Sequence, residues 1–533
     1  MMPKRSLPLI LAGLSSLLLF SAFPLFTLWP LAFVCLIPLM AAVKGLSARK
    51  IFLLSWLSGT AFYIGLLHWI VFNPAVEGWV KPLLYLGVVL IGFYLSIYFA
   101  ISFALAKWLA LRTKMPFWAW LAVCLPALDF IRSQGLLGFP WGSLGYALVP
   151  WTNGIQMAAL TGVYGLTFWA VLVNGLLLSL GTIFWQGRNR LAECFKSPKT
   201  AALVLMKALQ RPRTAALVLS LALLLLLPPW LGSMAIRSVE KLSLSSPRIN
   251  TALIQGNIQQ GMRWDREFQR YNFDEYKRLT IDASAQKAGL VVWPETALPF
   301  YLRFQPQYGN QMRQLADQTN SLILTGVPDM AVDDSQKELY FNAAFLFAPG
   351  RGLIGSYAKS RLVPFGERFP LKDRIPFLKN VNFGEGEWTA GPDTIVFETP
   401  EAALSCLICF ESIFPEISRH QVSRGSKLLV NITNDGWFGR SGAAMQHAQM
   451  AVLRAVENRR AVARCANSGI SMFILPSGKV VQPTLLYRQT VTVESLPLLS
   501  VRTFYSRFGD VFLYGLILLI AVGALIPLVK KRS

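Results

Sequence analysis

Three short segments each place a reactive side chain at or just beyond the end of an apolar run: Val291-Val-Trp-Pro-Glu295, Gly355-Ser-Tyr-Ala-Lys359 and Cys406-Leu-Ile-Cys-Phe-Glu411. A carboxylate, an ammonium and a thiol are together the groups that nucleophilic acyl chemistry uses. The thiol attacks only after losing its proton, from an ordinary pKa of about 8.5. A carboxylate is a suitable general base for that step, and a fixed cation stabilises the oxyanion that attack on a carbonyl creates.

Such side chains act together only if the fold brings them to one place. From residue 248 the sequence alternates short apolar runs with polar, helix-like stretches. The runs Ile249 to Gln255, Gly289 to Trp293, Ser321 to Thr325, Tyr340 to Phe347, Leu404 to Phe410 and Lys427 to Ile432 predict strands. Arg266 to Lys287, Asn310 to Thr319 and Ala443 to Arg464 predict helices, which makes a layered α/β domain over residues 235–508. Ligand sites in α/β architectures gather where strands end, so the three segments can converge on one pocket.

The remainder of the chain is of another kind. Hydrophobic residues make up 54% of the sequence and charged residues only 15%, which exceeds soluble norms and implies a membrane protein. A bilayer core needs about 20 apolar residues in a helix. Eight candidate spans centre near residues 8–25, 27–43, 51–73, 82–106, 117–131, 161–185, 214–233 and 511–529. Residues 1–234 thus form a membrane domain with seven helices, and 509–533 an eighth helix with a basic tail. The aromatic residues of these spans, among them Trp56, Phe62, Tyr63 and Trp69, are read as packing and interface anchors. Residues 132–160, nearly uncharged and rich in Gly, Pro and Trp, are expected partly in the bilayer interface.

The net charge of +23 is not a nucleic-acid signature. Residues 235–508 hold 31 basic and 24 acidic residues, and most of the other basic residues fall in alternate connections between spans. Lys and Arg enrich cytoplasmic loops, so the pattern predicts both termini inside and the α/β domain across the membrane.

Together the three segments resemble the nitrilase, or carbon-nitrogen hydrolase, superfamily, whose glutamate, lysine and cysteine occur in this order. Lys359-Ser-Arg-Leu-Val-Pro-Phe-Gly-Glu367, Cys409-Phe-Glu411 and Asn434-Asp-Gly-Trp-Phe-Gly439 look like its apolipoprotein N-acyltransferase branch. The resemblance implies an αββα sandwich outside the cytoplasm of a bacterial inner membrane. It implies a catalytic triad of Glu295 as general base, Lys359 with the Phe410 amide as oxyanion donors, and Cys409 as nucleophile. It also implies that Glu367 and Glu411 hold Lys359, that Trp264 lies on a substrate-facing loop, and that Asn434 and Trp437 support the pocket. Phe410 stands where many relatives carry tyrosine. The implied partners are a phospholipid acyl donor such as phosphatidylethanolamine, a diacylated apolipoprotein acceptor and the bilayer, with no cofactor and no metal. A membrane-anchored hydrolase that passes its acyl group to water or another amine is the alternative. A scaffold or transporter is disfavoured by the intact triad and by the scarcity of intramembrane charge beyond Asp129 and Arg132.

Single residues have plainer readings. Cys406 and Cys409 form a C-x-x-C pair, but no second pair or nearby histidines complete a zinc site, so Cys406 is expected in the core. His68, His420 and His447 accompany no serine-nucleophile motif and are read as core or surface residues.

Overall fold

Uncharged runs that satisfy their own backbone hydrogen bonds are what a bilayer demands, and in the described part of residues 1–245 the regular structure is all helical. The computed structural model describes residues 6–74, 76, 81–186, 210–259, 266–369, 387–392 and 394–530. Four helical stretches are long and apolar enough to cross a membrane: Ala48–Phe72, Lys81–Arg112, Gly154–Trp185 and Pro212–Ser245. Shorter apolar helices cover Leu7–Ala22, Trp29–Ala42 and Val511–Ile526, and Phe117–Ser133 is a helix of 17 residues. Each of the eight apolar segments is therefore helical, and four have the length and composition to span alone.

The second segment is broken into a 3₁₀ turn, Trp29–Phe33, and a short helix, Ile37–Ala42, each with proline in its first turn. Proline starts a helix but cannot continue one, having no N–H. Asn174 repairs the gap: its Oδ1 accepts from the Leu36 amide at 2.9 Å and its Nδ2 donates to the Ala32 carbonyl at 2.8 Å. Helix Pro212–Ser245 has 34 residues, about 50 Å at 1.5 Å per residue, against a hydrocarbon core of about 30 Å. Its excess length carries the chain from the membrane domain to the first strand.

The second half holds two six-stranded sheets. One runs β12-β1-β2-β3-β4-β5 and the other β11-β10-β9-β8-β7-β6, where β6 is Phe397–Glu398, β10 Met472–Ile474, β11 Val480–Val481 and β12 Thr490–Pro497. The strands that matter for the site are β1 (Arg248–Gln255), β2 (Leu290–Val292), β3 (Leu322–Val332), β4 (Glu338–Ala348) and β5 (Gly352–Ala358) in the first sheet. In the second they are β7 (Ala403–Ile408), β8 (Leu428–Thr433) and β9 (Ala461–Ala466). Alternation along each strand sends Leu253, Val292 and Leu324 to one face, where they meet Leu404, Cys406, Val430 and Ala463 of the other sheet. Ala252, Val291, Trp293 and Ile323 face the opposite way and pack under helices α1 (Arg266–Ser284) and α2 (Pro306–Thr319). The second sheet's outer face, including Leu407, Leu429 and Val462, is covered by helices α3 (Pro415–Ser423) and α4 (Ala443–Asn458), whose core is continuous with that of the membrane helices. The layers are thus helix, sheet, sheet, helix, then the membrane bundle.

One expectation changes, and another gains structural detail. The predicted helix Ala443 to Arg464 stops at Asn458, with Arg459 in the left-handed region at φ 51°, and the chain re-enters as β9 between β8 and β10. Residues 132–160, expected partly in the bilayer interface, are largely buried within the protein. Arg132, fully buried, donates to the carbonyls of Phe139 and Trp141, both at 2.7 Å, and to Ser143 Oγ at 3.0 Å, with Asp129 as its ion-pair partner at 3.1 Å. The segment is folded inward as a seat for the α/β domain. Trp141 Nε1 donates to Gln446 Oε1 at 2.7 Å, and the Tyr146 hydroxyl to the Ile413 carbonyl at 3.1 Å.

Candidate active site

Glu295, Lys359, Cys409 and Asn434 each follow a strand directly or within three residues: β2, β5, β7 and β8 in turn. β2 and β3 are parallel, and β4 is antiparallel to both β3 and β5; β7 and β8 are parallel. Within each sheet the relevant strand ends therefore point the same way. The two sheets face each other, so side chains from both meet in the seam.

Lys359 Nζ lies 2.7 Å from Glu367 Oε1 and 3.4 Å from Glu295 Oε1, and its side chain has no exposure. Asn342, on β4, donates through Nδ2 to both carboxylates, at 2.8 Å to Glu295 and 3.1 Å to Glu367. The second oxygen of Glu295 accepts from the Asn434 amide at 2.8 Å, across the seam, and that of Glu367 from the Val363 amide at 2.8 Å. Burial lowers the Lys359 pKa, but the two carboxylates outweigh it and hold the ammonium well above its ordinary range. The site thus has a permanent cation. Burial between two carboxylates makes this ammonium matter to folding as well, because a buried charge stripped of its partners costs far more than a solvated one.

Glu295 sits where β3 can approach only as glycine. A Cβ on Gly326 would lie 2.5 Å from the Thr296 amide nitrogen and 2.6 Å from the Pro294 carbonyl oxygen. The Gly326 amide donates to that same carbonyl at 3.2 Å.

Cys409 begins a 3₁₀ turn after β7 and has φ 50°. A non-glycine residue in the left-handed region costs roughly 1–2 kcal/mol, and at the head of a strand it turns the side chain up and out of the sheet. Burial pushes the Cys409 thiol well above its usual pKa, the Glu295 carboxylate adds to this, and Lys359 and a hydrogen bond with Thr433 oppose it. These influences favour the thiol over the thiolate, so a nucleophilic role for this sulfur calls for a base to take its proton. Cys406, three residues earlier, lies in the core between the sheets.

Glu411 does not reach the ammonium it was expected to hold. Its Oε1 accepts from the Tyr357 hydroxyl, the Ser360 amide and the Ser360 hydroxyl, all at 2.7 Å, and from the Arg361 amide at 3.2 Å; its Oε2 accepts from the Ile408 amide at 2.7 Å. One carboxylate therefore ties the backbone just after Lys359 to the backbone just before Cys409. Burial raises the Glu411 pKa, and these donors pull against it.

The Phe410 ring faces the membrane domain, 5.8 Å from Phe139 and 5.1 Å from Phe414. In that apolar seat phenylalanine leaves no hydroxyl to satisfy. Trp437 is half-buried in the 3₁₀ turn Asp435–Phe438, whereas Trp264 lies outside the described residues. A cavity of about 630 Å³ opens beside Leu25, Thr27, Arg440, Met445 and Ile470; none of Glu295, Lys359 and Cys409 lines it.

Several residues escape the sequence reading. Asn342 and Thr433 are ordinary strand residues in sequence, and only their full burial as polar groups distinguishes them. Asp435, within the quoted Asn-Asp-Gly-Trp-Phe-Gly stretch, is bound by Arg464 at 2.9 Å, His447 at 3.1 Å and Thr433 at 3.1 Å. Burial raises its pKa, yet Arg464, His447 and Thr433 prevail and hold the carboxyl at about 2, below its ordinary 3.8. A depressed acid stabilises the fold above its unfolded pKa, and that contribution is lost as pH falls from about 4 toward 2. The loss expected is about 2 kcal/mol at roughly 1.4 kcal/mol per pKa unit. Acid-unfolding curves of wild type and Asp435→Asn should show it: the variant's stability will vary less over that window, and an equal slope would refute the assignment.

Comparison with known proteins agrees with both halves of this architecture. Residues 15–176 match the apolipoprotein N-acyltransferase N-terminal domain, and residues 250–503 the carbon-nitrogen hydrolase domain. An apolipoprotein N-acyltransferase of Geobacter metallireducens is 34% identical over 99% of this chain and 96% of its own, and one of Chlorobaculum tepidum 30% identical over 99% and 98%. Among solved structures, an amidase from Nesterenkonia sp. AN1 is 19% identical, with a TM-score of 0.37, over 50% of this chain and 98% of its own. With the membrane bundle and the α/β sandwich both matched, and relatives aligned from end to end, the chain belongs to the apolipoprotein N-acyltransferase family.

Proposed function

We propose that this protein moves an acyl chain from a phospholipid, with phosphatidylethanolamine as donor, to the α-amino group of the diacylglyceryl-cysteine at a lipoprotein's N-terminus, by way of a thioester on Cys409. The observation that carries this reading is the buried Glu295–Lys359–Glu367 cluster at the strand ends, within electrostatic reach of the Cys409 thiol, in a chain whose other half is apolar helices.

In the first half-reaction Cys409 Sγ attacks the ester carbonyl while Glu295 takes the thiol proton. Lys359 Nζ and the Phe410 amide stabilise the oxyanion, where low dielectric makes each interaction count. The intermediate collapses as the ester C–O bond breaks, and Glu295 returns the proton to the departing lysophospholipid oxygen. In the second, Glu295 accepts a proton from the incoming amine, nitrogen attacks the thioester, and the C–S bond breaks as Glu295 returns the proton to sulfur and regenerates the thiol. The thioester divides one transfer into two steps, which gives ping-pong kinetics. Glu367 keeps Lys359 charged and fixed, and Asn342 holds both carboxylates. In the membrane, the eight helical segments serve as spans of the bacterial inner membrane, with both termini cytoplasmic and the α/β domain periplasmic, where both lipid substrates can reach it.

The test is to incubate the purified protein with phosphatidylethanolamine alone and then with a diacylated lipopeptide, following Cys409 by mass spectrometry. An acyl thioester that forms without acceptor and then discharges onto the lipopeptide amine is expected. Discharge only to water would favour the hydrolase reading, and absence of any Cys409 adduct would overturn the mechanism.

A further inference from the structure

His447 has no part in the mechanism above, yet it is a buried titratable group in contact with the Cys409 backbone. It sits on α4 with 1% exposure. Its Nε2 lies 3.0 Å from the carbonyl oxygen of Cys409 and 3.1 Å from Ser412 Oγ. Its Nδ1 lies 3.1 Å from Asp435 Oδ1 and 3.2 Å from Arg464 Nη2. Trp141, from the membrane domain, lies over the ring at 5.8 Å and 30°, and Phe438 meets it edge-on at 5.9 Å. The imidazole is thus fixed from four sides by the 3₁₀ turn after β8, β9, the 3₁₀ turn after β7 and the membrane domain.

The peptide unit joining Cys409 to Phe410 is planar, and its C=O and N–H point in opposite directions. Whatever grips the Cys409 carbonyl therefore aims the Phe410 N–H. A carbonyl oxygen only accepts, so the contact with Nε2 is a hydrogen bond when that nitrogen carries the proton; the contact of Nδ1 with Asp435 needs a proton on Nδ1 as well, so the imidazolium makes both, and on a neutral ring protonated at Nε2 the Nδ1 accepts from Arg464 instead. Ser412 Oγ, 3.0 Å from the same oxygen, adds a second donor. The Cys409 backbone, at φ 50°, has reason to need both, since residues in this region persist only where the surroundings over-determine them.

We infer that His447 is a positioning residue for acyl transfer: by donating from Nε2 to the Cys409 carbonyl it sets the Cys409–Phe410 peptide plane, so that the Phe410 amide points at the oxyanion. Asp435, Arg464 and the overlying Trp141 keep the ring in place, which makes the oxyanion donor's orientation depend in part on the membrane domain. The inference rests on Cys409 being the nucleophile and on the Phe410 amide being an oxyanion donor.

The test compares two reactions of the same sulfur in the full-length protein. Acylation by phosphatidylethanolamine passes through an oxyanion; alkylation by iodoacetamide does not. His447→Phe is expected to slow acylation of Cys409 by roughly 10²- to 10³-fold, the usual loss for an oxyanion donor, with KM little changed and alkylation within about threefold of wild type. His447→Gln, whose amide Nε2 can replace the ring Nε2–H, should recover most of the rate. His447→Asn, whose shorter side chain reaches only the Nδ1 position, should not. Acylation by the Phe variant within about threefold of wild type, a parallel fall in acylation and alkylation, or equal rates for Gln and Asn would overturn the inference. If the Phe variant does not fold, the Gln and Asn comparison decides alone. Thioester formation by the wild type is read in the same experiment, so a failure of the nucleophile assignment is seen separately.

Discussion

Cys409→Ser is expected to lower acyl transfer by roughly 10⁴- to 10⁶-fold, the scale of losing a catalytic nucleophile, while the protein remains folded. Sulfur and oxygen differ little in volume, and Cys409 contributes to the apolar seam chiefly through its neighbours Cys406, Ile408 and Ile432, so stability should change by less than about 1 kcal/mol. The chemistry is far less forgiving. Burial and the Glu295 carboxylate already hold the thiol above its ordinary pKa, and a hydroxyl starts several units higher still. Glu295 can take a proton from the thiol as the C–S bond forms, but an alkoxide asks more of the same base. The measurement is single-turnover transfer from phosphatidylethanolamine, with the acyl adduct followed by mass. Transfer within about tenfold of wild type by the serine variant would remove Cys409 from the mechanism.

Lys359→Met is the second large effect, and it strikes both rate and stability. Losing a preorganised oxyanion donor costs roughly 2.7–4 kcal/mol in the transition state, or about 10²- to 10³-fold in kcat. Breaking a buried ion pair by removing one member costs about 3–5 kcal/mol of folding stability, because the partner's charge is left uncompensated. Here two carboxylates are left, 2.7 and 3.4 Å from the missing ammonium, although Asn342 and the amides of Val363 and Asn434 still donate to them. The two effects separate in a double variant. Lys359→Met with Glu367→Gln removes one stranded charge, and should regain much of the stability in a denaturant titration without regaining rate. If activity returned along with stability, Lys359 would be a folding residue and the oxyanion would have another donor. The elevated Lys359 pKa means that its stabilisation is complete below about pH 10 and fades only above that. No pH-rate inflection between pH 5 and 9 should belong to it.

Local pattern was enough to find the strand ends and the residues that follow them. An apolar run closed by Trp-Pro-Glu, Tyr-Ala-Lys or Cys-Phe-Glu announces itself in sequence, because strand burial and turn chemistry are properties of neighbouring residues. The helical nature of all eight apolar segments was legible for the same reason: a bilayer core leaves an uncharged run little choice but to satisfy its own backbone. What sequence left open were matters of distance between segments. Glu411 was read as a partner of the Lys359 ammonium, and it is a partner of the backbone on either side of the site, since its reach depends on how the two sheets align across the seam. Arg459 to Arg464 continued a plausible helix by composition, yet β8 and β10 offer a slot for a strand, and pairing in that slot overrides the helical propensity of Ala and Arg.

Lys359, Asn342 and His447 are polar residues whose sequence neighbourhoods give no sign of burial. Only the packing of one sheet on the other, and of the membrane domain on α4, removes water from them. Residue types, strand ends and membrane character were therefore fixed by sequence alone, because they follow from neighbours along the chain. The burial and ion pairing of Lys359, the left-handed backbone at Cys409 and the contacts on its carbonyl were decided by the tertiary structure, because they depend on groups from separate elements meeting in a space without solvent.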